Sequence, residues 1–129
     1  MPHIYLIEGP VGAGKSTFSR SLATRIGGVH IALDEWFTRL FSPDRPSTDL
    51  VPWYIERKVR LLDHIWSHAQ DFVACGIVPV LELGLIQRQS REDLYKRARE
   101  AGVDLTVYLL LASREVRRER VMRRNLEMG

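Results

Sequence analysis

HIYLIEGPVGAGKSTFSRSLATRIGG, residues 3–28, decides the fold. His3 to Glu8 is a short apolar run that ends at Gly9, the pattern of a buried parallel strand. From Ser16 the period changes. Phe18, Leu22 and Ile26 recur every four residues while Arg20 and Arg25 fall off that stripe, so an amphipathic helix follows, stopped by Gly27 and Gly28. Between strand and helix stand Gly9, Pro10, Val11, Gly12, Ala13, Gly14, Lys15 and Ser16, which fit G-x-x-x-x-G-K-[ST], with Thr17 next. Glycines let the backbone wrap so that successive N–H groups converge on phosphate oxygens at a helix N-terminus. Lys15 adds a mobile positive charge for the β- and γ-phosphates, and the Ser16 hydroxyl suits a Mg²⁺ ion. A glycine-rich turn without a ligand is the competing reading, and the strand before and helix after disfavour it.

Outward from this stretch, strands and helices alternate. Val29 to Leu33 reads as a second strand, followed by Asp34 and a short helix to about Leu40. FSPDRPSTDLVP, residues 41–52, has three prolines and no periodicity, hence a loop. A long helix is predicted from about Trp53 to Cys75, with Ile55, Val59, Leu62, Ile65, Ala69 and Phe72 on one face. Ile77 to Leu83 is a third apolar run, in which Pro79 is awkward for a central strand. Ser90 and Asp93 form an S-x-x-D box that starts a helix closing at Gly102. Leu105 to Leu111 is the clearest strand, and Ser113 caps a last helix made mostly of arginine. Such alternation implies right-handed crossovers and a mainly parallel sheet covered on both faces. Residues 1–129 read as one α/β domain without repeat or linker.

Composition narrows the setting. With 129 residues, 45% of them hydrophobic and 27% charged, the chain suits one globular domain. No window approaches the roughly 18 consecutive apolar residues of a membrane span, and MPHIYLIEG lacks the features of a secretory signal. The single cysteine, Cys75, excludes an internal disulfide and a thiolate zinc cage, which points to a reducing cytoplasm. Residues 114–124 carry a local charge of +4, leaving −1 for the rest of a chain whose net charge is +3. So concentrated a patch fits a compact phosphate ligand better than a long nucleic-acid track.

Ligands of an open parallel sheet gather at the carboxyl ends of its strands. Lys15, Asp34, Glu82 and the arginine helix should therefore converge. Asp34 can accept a proton from an attacking hydroxyl or hold it in line; its bland role is to cap the helix beginning at Glu35. Glu82 stands where a second carboxylate near Mg²⁺ or a water-orienting group belongs, or is a solvated charge at a strand exit. Arg120 and Arg124 share a helix face and can act on one ligand, by stacking or by forked phosphate contact; a solvated charged face is the alternative. His64 and His68, spaced i, i+4, lack an evident third ligand and read as helix surface. Trp36, Trp53, Tyr54 and Trp66 are candidates for a platform that stacks an acceptor ring; Trp66 suits packing better, while Trp36 and Trp53 flank the acceptor-side loop and suit either. Arg88 and Arg91 are candidates to hold an acceptor or the transferred phosphate, and Cys75 reads as a buried small residue.

GPVGAGKST at 9–17, LDEWF at 33–37 and ERVMRR at 119–124 together resemble the small P-loop kinases of the zeta-toxin, chloramphenicol phosphotransferase and polynucleotide 5′-kinase group, with an AAA-type ATP-binding domain. Adenylate kinases are more distantly similar. The resemblance implies a three-layer α/β/α P-loop fold with strand order 2-3-1-4. It also implies Asp34 as the hydroxyl-activating base, Arg120 on the nucleotide's base and Arg124 on its phosphates as a lid. Nucleic-acid kinases of this group often place an arginine three residues past the base, where this chain has Phe37, so the acceptor is not inherited. The sequence stops five residues after Arg124, where such kinases continue into a fifth strand, so the domain is expected without that strand. The expected activity is transfer of the γ-phosphate of Mg²⁺–ATP to a hydroxyl of a small molecule. A polynucleotide 5′-hydroxyl kinase, a nucleotide-sugar kinase toxin and a regulatory ATPase are the alternatives.

Overall fold

Among the described residues, four parallel strands build the sheet, in the order β2-β3-β1-β4 expected from the sequence. The computed structural model describes residues 3–10 and 13–111. Strand β1 (His3–Glu8) leads through the glycine loop into helix α1 (Lys15–Ile26), and β2 (Val29–Ala32) runs directly into α2 (Leu33–Leu40). A single 3-10 turn, Ser42–Asp44, precedes the long α3 (Leu50–Ala74), followed by β3 (Pro79–Glu82), α4 (Arg88–Ala101) and β4 (Asp104–Leu109). The arginine-rich segment with Ser113, Arg120 and Arg124 lies outside the described residues, as do Val11 and Gly12.

The two faces of the sheet are covered unequally. Ile7 and Val80 pack against Leu22 and Ala23 of α1. Ile4, Leu6, Ile31 and Leu81 pack on the other side against Phe37 of α2, Leu61, Ile65 and Ala69 of α3, and Leu94 and Ala98 of α4. Each fully buried Leu or Ile in this larger core contributes about 1.5–3 kcal/mol relative to exposure. No helix among the described residues is long and apolar enough to cross a membrane.

Several local expectations are corrected. Helix α1 buries Ser19, Leu22 and Ala23 while Ile26 is exposed, so its inward stripe is rotated from the one read at four-residue spacing. Helix α3 begins at Leu50, inside the expected loop, and Ile55 and Val59 lie on solvent; its core stripe starts only at Leu61. Helix α4 begins at Arg88 with Gln87 before it and no side-chain cap, so Ser90 sits inside the helix rather than at its start. Cys75 is exposed. Pro79 causes no conflict in central β3 because it is that strand's first residue, where the ladder begins.

Candidate active site

The glycine loop takes its shape from backbone geometry. Gly14 stands before α1 with φ 83°, a left-handed conformation that a glycine adopts without strain. The loop closes on itself through the Ala13 N–H, which donates to the Pro10 carbonyl at 3.2 Å. The Lys15 ammonium donates to the Gly9 carbonyl at 2.8 Å, so the lysine lies folded over its own loop. Ser19, fully buried one turn into α1, donates to the Lys15 carbonyl at 2.7 Å.

Glu82, at the carboxyl end of β3, meets this loop. The Ser16 hydroxyl donates to Glu82 Oε2 at 3.2 Å, and His30 Nε2 lies 2.6 Å from Glu82 Oε1. Strand register explains the second contact: His30 pairs with Val80 and Ala32 with Glu82, so His30 and Glu82 project from the same face, toward α1. Burial pushes the Glu82 carboxyl up, but contacts with His30 and with the Ser19 and Ser16 hydroxyls outweigh it and hold the group below its ordinary value. Glu82 is therefore a held carboxylate, 11% exposed, and not the solvated strand-exit charge that was its bland alternative. The donor set of Ser16 hydroxyl and Glu82 carboxylate, all oxygen, fits a hard cation such as Mg²⁺.

The other side of the sheet edge is organised differently. Asp34 lies exposed in the first turn of α2; Ala32, not Asp34, occupies the cap position, and no side-chain cap bond forms. Asp34 makes no ion pair among the described residues. Phe37 of α2 packs between Trp53 and Tyr54 of α3, with ring centroids 5.7 and 4.9 Å away. The Tyr54 phenol is pushed up by burial and then by the negative charge of Asp34. Lys58, one turn on, donates to the Gly84 carbonyl at 3.2 Å, just past β3. At the end of β1, Glu8 has one buried carboxylate oxygen, Oε1, without a partner among the described residues. Its other oxygen accepts a long, 3.5 Å bond from the Tyr95 hydroxyl. Burial raises the Glu8 carboxyl, and Arg91, Tyr95 and Lys15 offset this only in part.

The edge thus brings Ser16 and Glu82 into direct contact, with Lys15 folded over the adjoining loop and Asp34 on the neighbouring helix. The remaining candidates fare unequally. Arg91 donates to the Leu85 and Ile86 carbonyls and so pins the loop after β3, while Arg88 is exposed and pairs with Glu92. His64 and His68 stack in parallel with centroids 6.5 Å apart, and His68 also meets Phe72 and Trp36. Trp66 is core, as expected. Trp36 lines a cavity of about 360 Å³ with Glu35, Arg39 and Leu40. At about 100° per residue, these positions lie on the helix face turned away from Asp34.

Residues 4–129 match a family described as AAA domain. The chain belongs to that family. Among solved structures, this AAA domain is similar to a candidate kinase from Chloroflexus aurantiacus (TM-score 0.78, 19% identity), covering 98% of this chain and 68% of that one. It is also similar to a gluconokinase from Sinorhizobium meliloti (TM-score 0.56, 25% identity), covering 95% of this chain and 65% of that one. A sugar kinase from Janibacter sp. aligns with TM-score 0.65 and 16% identity, over 95% of this chain and 67% of that one. The AAA domain thus spans about two thirds of the length of each of these kinases. No curated protein matches it. The fold is that of small P-loop kinases, as the resemblance in sequence implied.

Sequence reasoning missed His30, Glu8 and Lys58, while Tyr54, a stacking candidate in sequence, packs on Phe37. His30 carried a signal in principle: two residues before the strand end, it shares a face with whatever ends the neighbouring strand. Lys58 carried none, because the inward face of the predicted helix was misplaced.

Proposed function

We propose that this protein is an ATP-dependent phosphotransferase that moves the γ-phosphate of Mg²⁺–ATP to a hydroxyl of a small molecule. One observation carries the reading. A carboxylate without an ion-pair partner among the described residues, Asp34, faces solvent at the sheet edge where Lys15, Ser16 and Glu82 form a phosphate-side cluster. The kinase neighbours support it. Ser16 and Glu82 would hold Mg²⁺, which when bound screens phosphate charge. Lys15 exchanges its bond to the Gly9 carbonyl for phosphate oxygens, and the loop amides orient the donor. Asp34 aligns the acceptor hydroxyl and takes its proton as that oxygen bonds to the γ-phosphorus and the bond to the bridging oxygen of ADP breaks. The closing role over the donor nucleotide proposed for Arg120 and Arg124 rests on sequence alone. The charge of −1 outside residues 114–124 favours a small acceptor over a polynucleotide.

The test is a screen. ATP labelled on its γ-phosphate is incubated with the protein and pooled metabolites, antibiotics and oligonucleotides, and the labelled product is identified. A labelled small molecule that disappears with Asp34→Asn supports the proposal. Labelled inorganic phosphate alone, with or without a stimulating partner, replaces it with an ATPase.

A further inference from the structure

Among the described residues, several helix cations lack a carboxylate partner: Arg25, Arg39 and Arg99 are exposed, Lys15 and Arg91 are bonded to loop carbonyls, and Arg57 and Lys58 are half-buried. Arg60 pairs with Glu56, Arg88 with Glu92, Lys96 with Glu100 and Arg97 with Asp63, while Arg20 of α1 reaches Glu35. Arg57 and Lys58, consecutive on the first half of α3, have no carboxylate within ion-pair distance among the described residues. Both are half-buried, and both lie against rings. The Arg57 guanidinium stands 4.7 Å from the centroid of Trp53, and the Lys58 ammonium 5.9 Å from that of Tyr54. Each also donates once to a backbone carbonyl at 3.2 Å, Arg57 to Trp53 and Lys58 to Gly84. An ammonium has three N–H donors and a guanidinium five, so most of their hydrogen-bonding capacity is unspent. Removing cations from water without a counter-ion is unfavourable, and an arriving anion would reverse that cost.

Their position says which anion. Gly84 lies two residues beyond Glu82, at the carboxyl edge where the phosphates are expected. Tyr54, which Lys58 approaches, is the residue that feels the charge of Asp34. Phe37, three residues after Asp34, locks Trp53 and Tyr54 against α2. The cations therefore border the place where the acceptor hydroxyl must lie if Asp34 is its base.

We infer that the acceptor is itself an anion, a hydroxylated small molecule bearing a carboxylate or phosphate that Lys58 binds, with Arg57 beside it, while the hydroxyl faces Asp34. This rests on the kinase reading and deepens it. Lys58 then sets specificity: a neutral polyol of equal size leaves its charge unanswered.

The experiment uses matched probes: D-gluconate against D-glucitol, and D-glycerate and glycerol 3-phosphate against glycerol. Binding is read as a melting shift without ATP, in wild type and in Lys15→Ala, so that anions held by the glycine loop are separated. Transfer is read as acceptor kcat/KM. At least one acid should bind in both backgrounds and exceed its neutral counterpart by about tenfold or more in kcat/KM, carboxylate and phosphate arms showing which group is taken. Lys58→Gln should raise KM for that acid by about tenfold or more while leaving the ATP-induced melting shift intact, and Lys58→Arg should restore part of the loss. Equal use of neutral acceptors, no shift by any acid, or an unchanged KM in Lys58→Gln overturns the inference while leaving the kinase reading standing. Acid binding that depends on Lys58, with labelled inorganic phosphate as the sole product of the γ-phosphate screen, removes the kinase reading and with it the role of the bound acid as acceptor.

Discussion

The two faces of the sheet's carboxyl edge differ in how far they satisfy themselves. Toward α1, Ser16, Glu82 and His30 are hydrogen-bonded to one another. Toward α2, α3 and α4, one oxygen of Glu8 has no partner, Asp34 has no ion pair, and Arg57 and Lys58 have no carboxylate among the described residues. Burial acts on Glu8 and Glu82 in the same direction, yet their carboxyls end on opposite sides of the ordinary value, because contacts with His30, Ser19 and Ser16 reverse it for Glu82 alone. Under the proposed function, the difference teaches that the phosphate side is organised before ligand arrives, whereas the acceptor side has groups that a ligand would complete.

Breaking the acceptor side should have the largest effect. Asp34→Asn preserves shape but cannot take a proton, so transfer should fall by roughly 10²–10⁴ while the ATP-induced melting shift is retained. Near wild-type turnover would remove Asp34 from the chemistry. On the phosphate side, Lys15→Ala should abolish most of that melting shift, worth about 2.7 kcal/mol when ATP stands at 100 times its Kd, without unfolding the protein. Glu82→Gln should raise the Mg²⁺ concentration needed for half of the ATP-induced stabilisation by about 10–100-fold, measured by melting across a Mg²⁺ series.

The smallest effect separates the two glutamates by pH. Glu82 has a depressed value, so its contribution is present above the ordinary glutamate range and is lost as pH falls through the depressed value. Glu8 has a raised value, so its contribution is complete below the ordinary range and is lost as pH rises through the raised one. Glu8→Gln should therefore flatten the stability curve just above the ordinary glutamate range, by about 1 kcal/mol or less in urea titrations. An unchanged slope there would show that Glu8 is matched in solution.

The features legible in sequence were those encoded locally. The strand, glycine loop and helix of residues 3–26 are written in consecutive positions, and the parallel order follows from alternation and the kinase resemblance. What escaped was encoded across distance. The His30–Glu82 contact depends on how β2 and β3 are registered, which neither segment states alone. Helix α3 hid its start because Pro52 reads as loop, although proline is tolerated in a first helical turn. Its regular apolar stripe then misled, since Ile55 and Val59 extend the periodicity beyond the sheet they would need to cover.

Gly28 illustrates how such distant dependence is fixed. In sequence it reads as the end of a helix; in the structure an added Cβ would collide with the Val78 carbonyl. That carbonyl also accepts the Val29 N–H at 3.0 Å, the bond that starts β2 alongside β3. A side chain at residue 28 would act as a wedge at the origin from which both strands are measured, and the offset would travel along them to His30 and Glu82. The dimension of the phosphate side is thus held by a residue with no chemistry of its own, and a single methyl group there can detune the site from outside it.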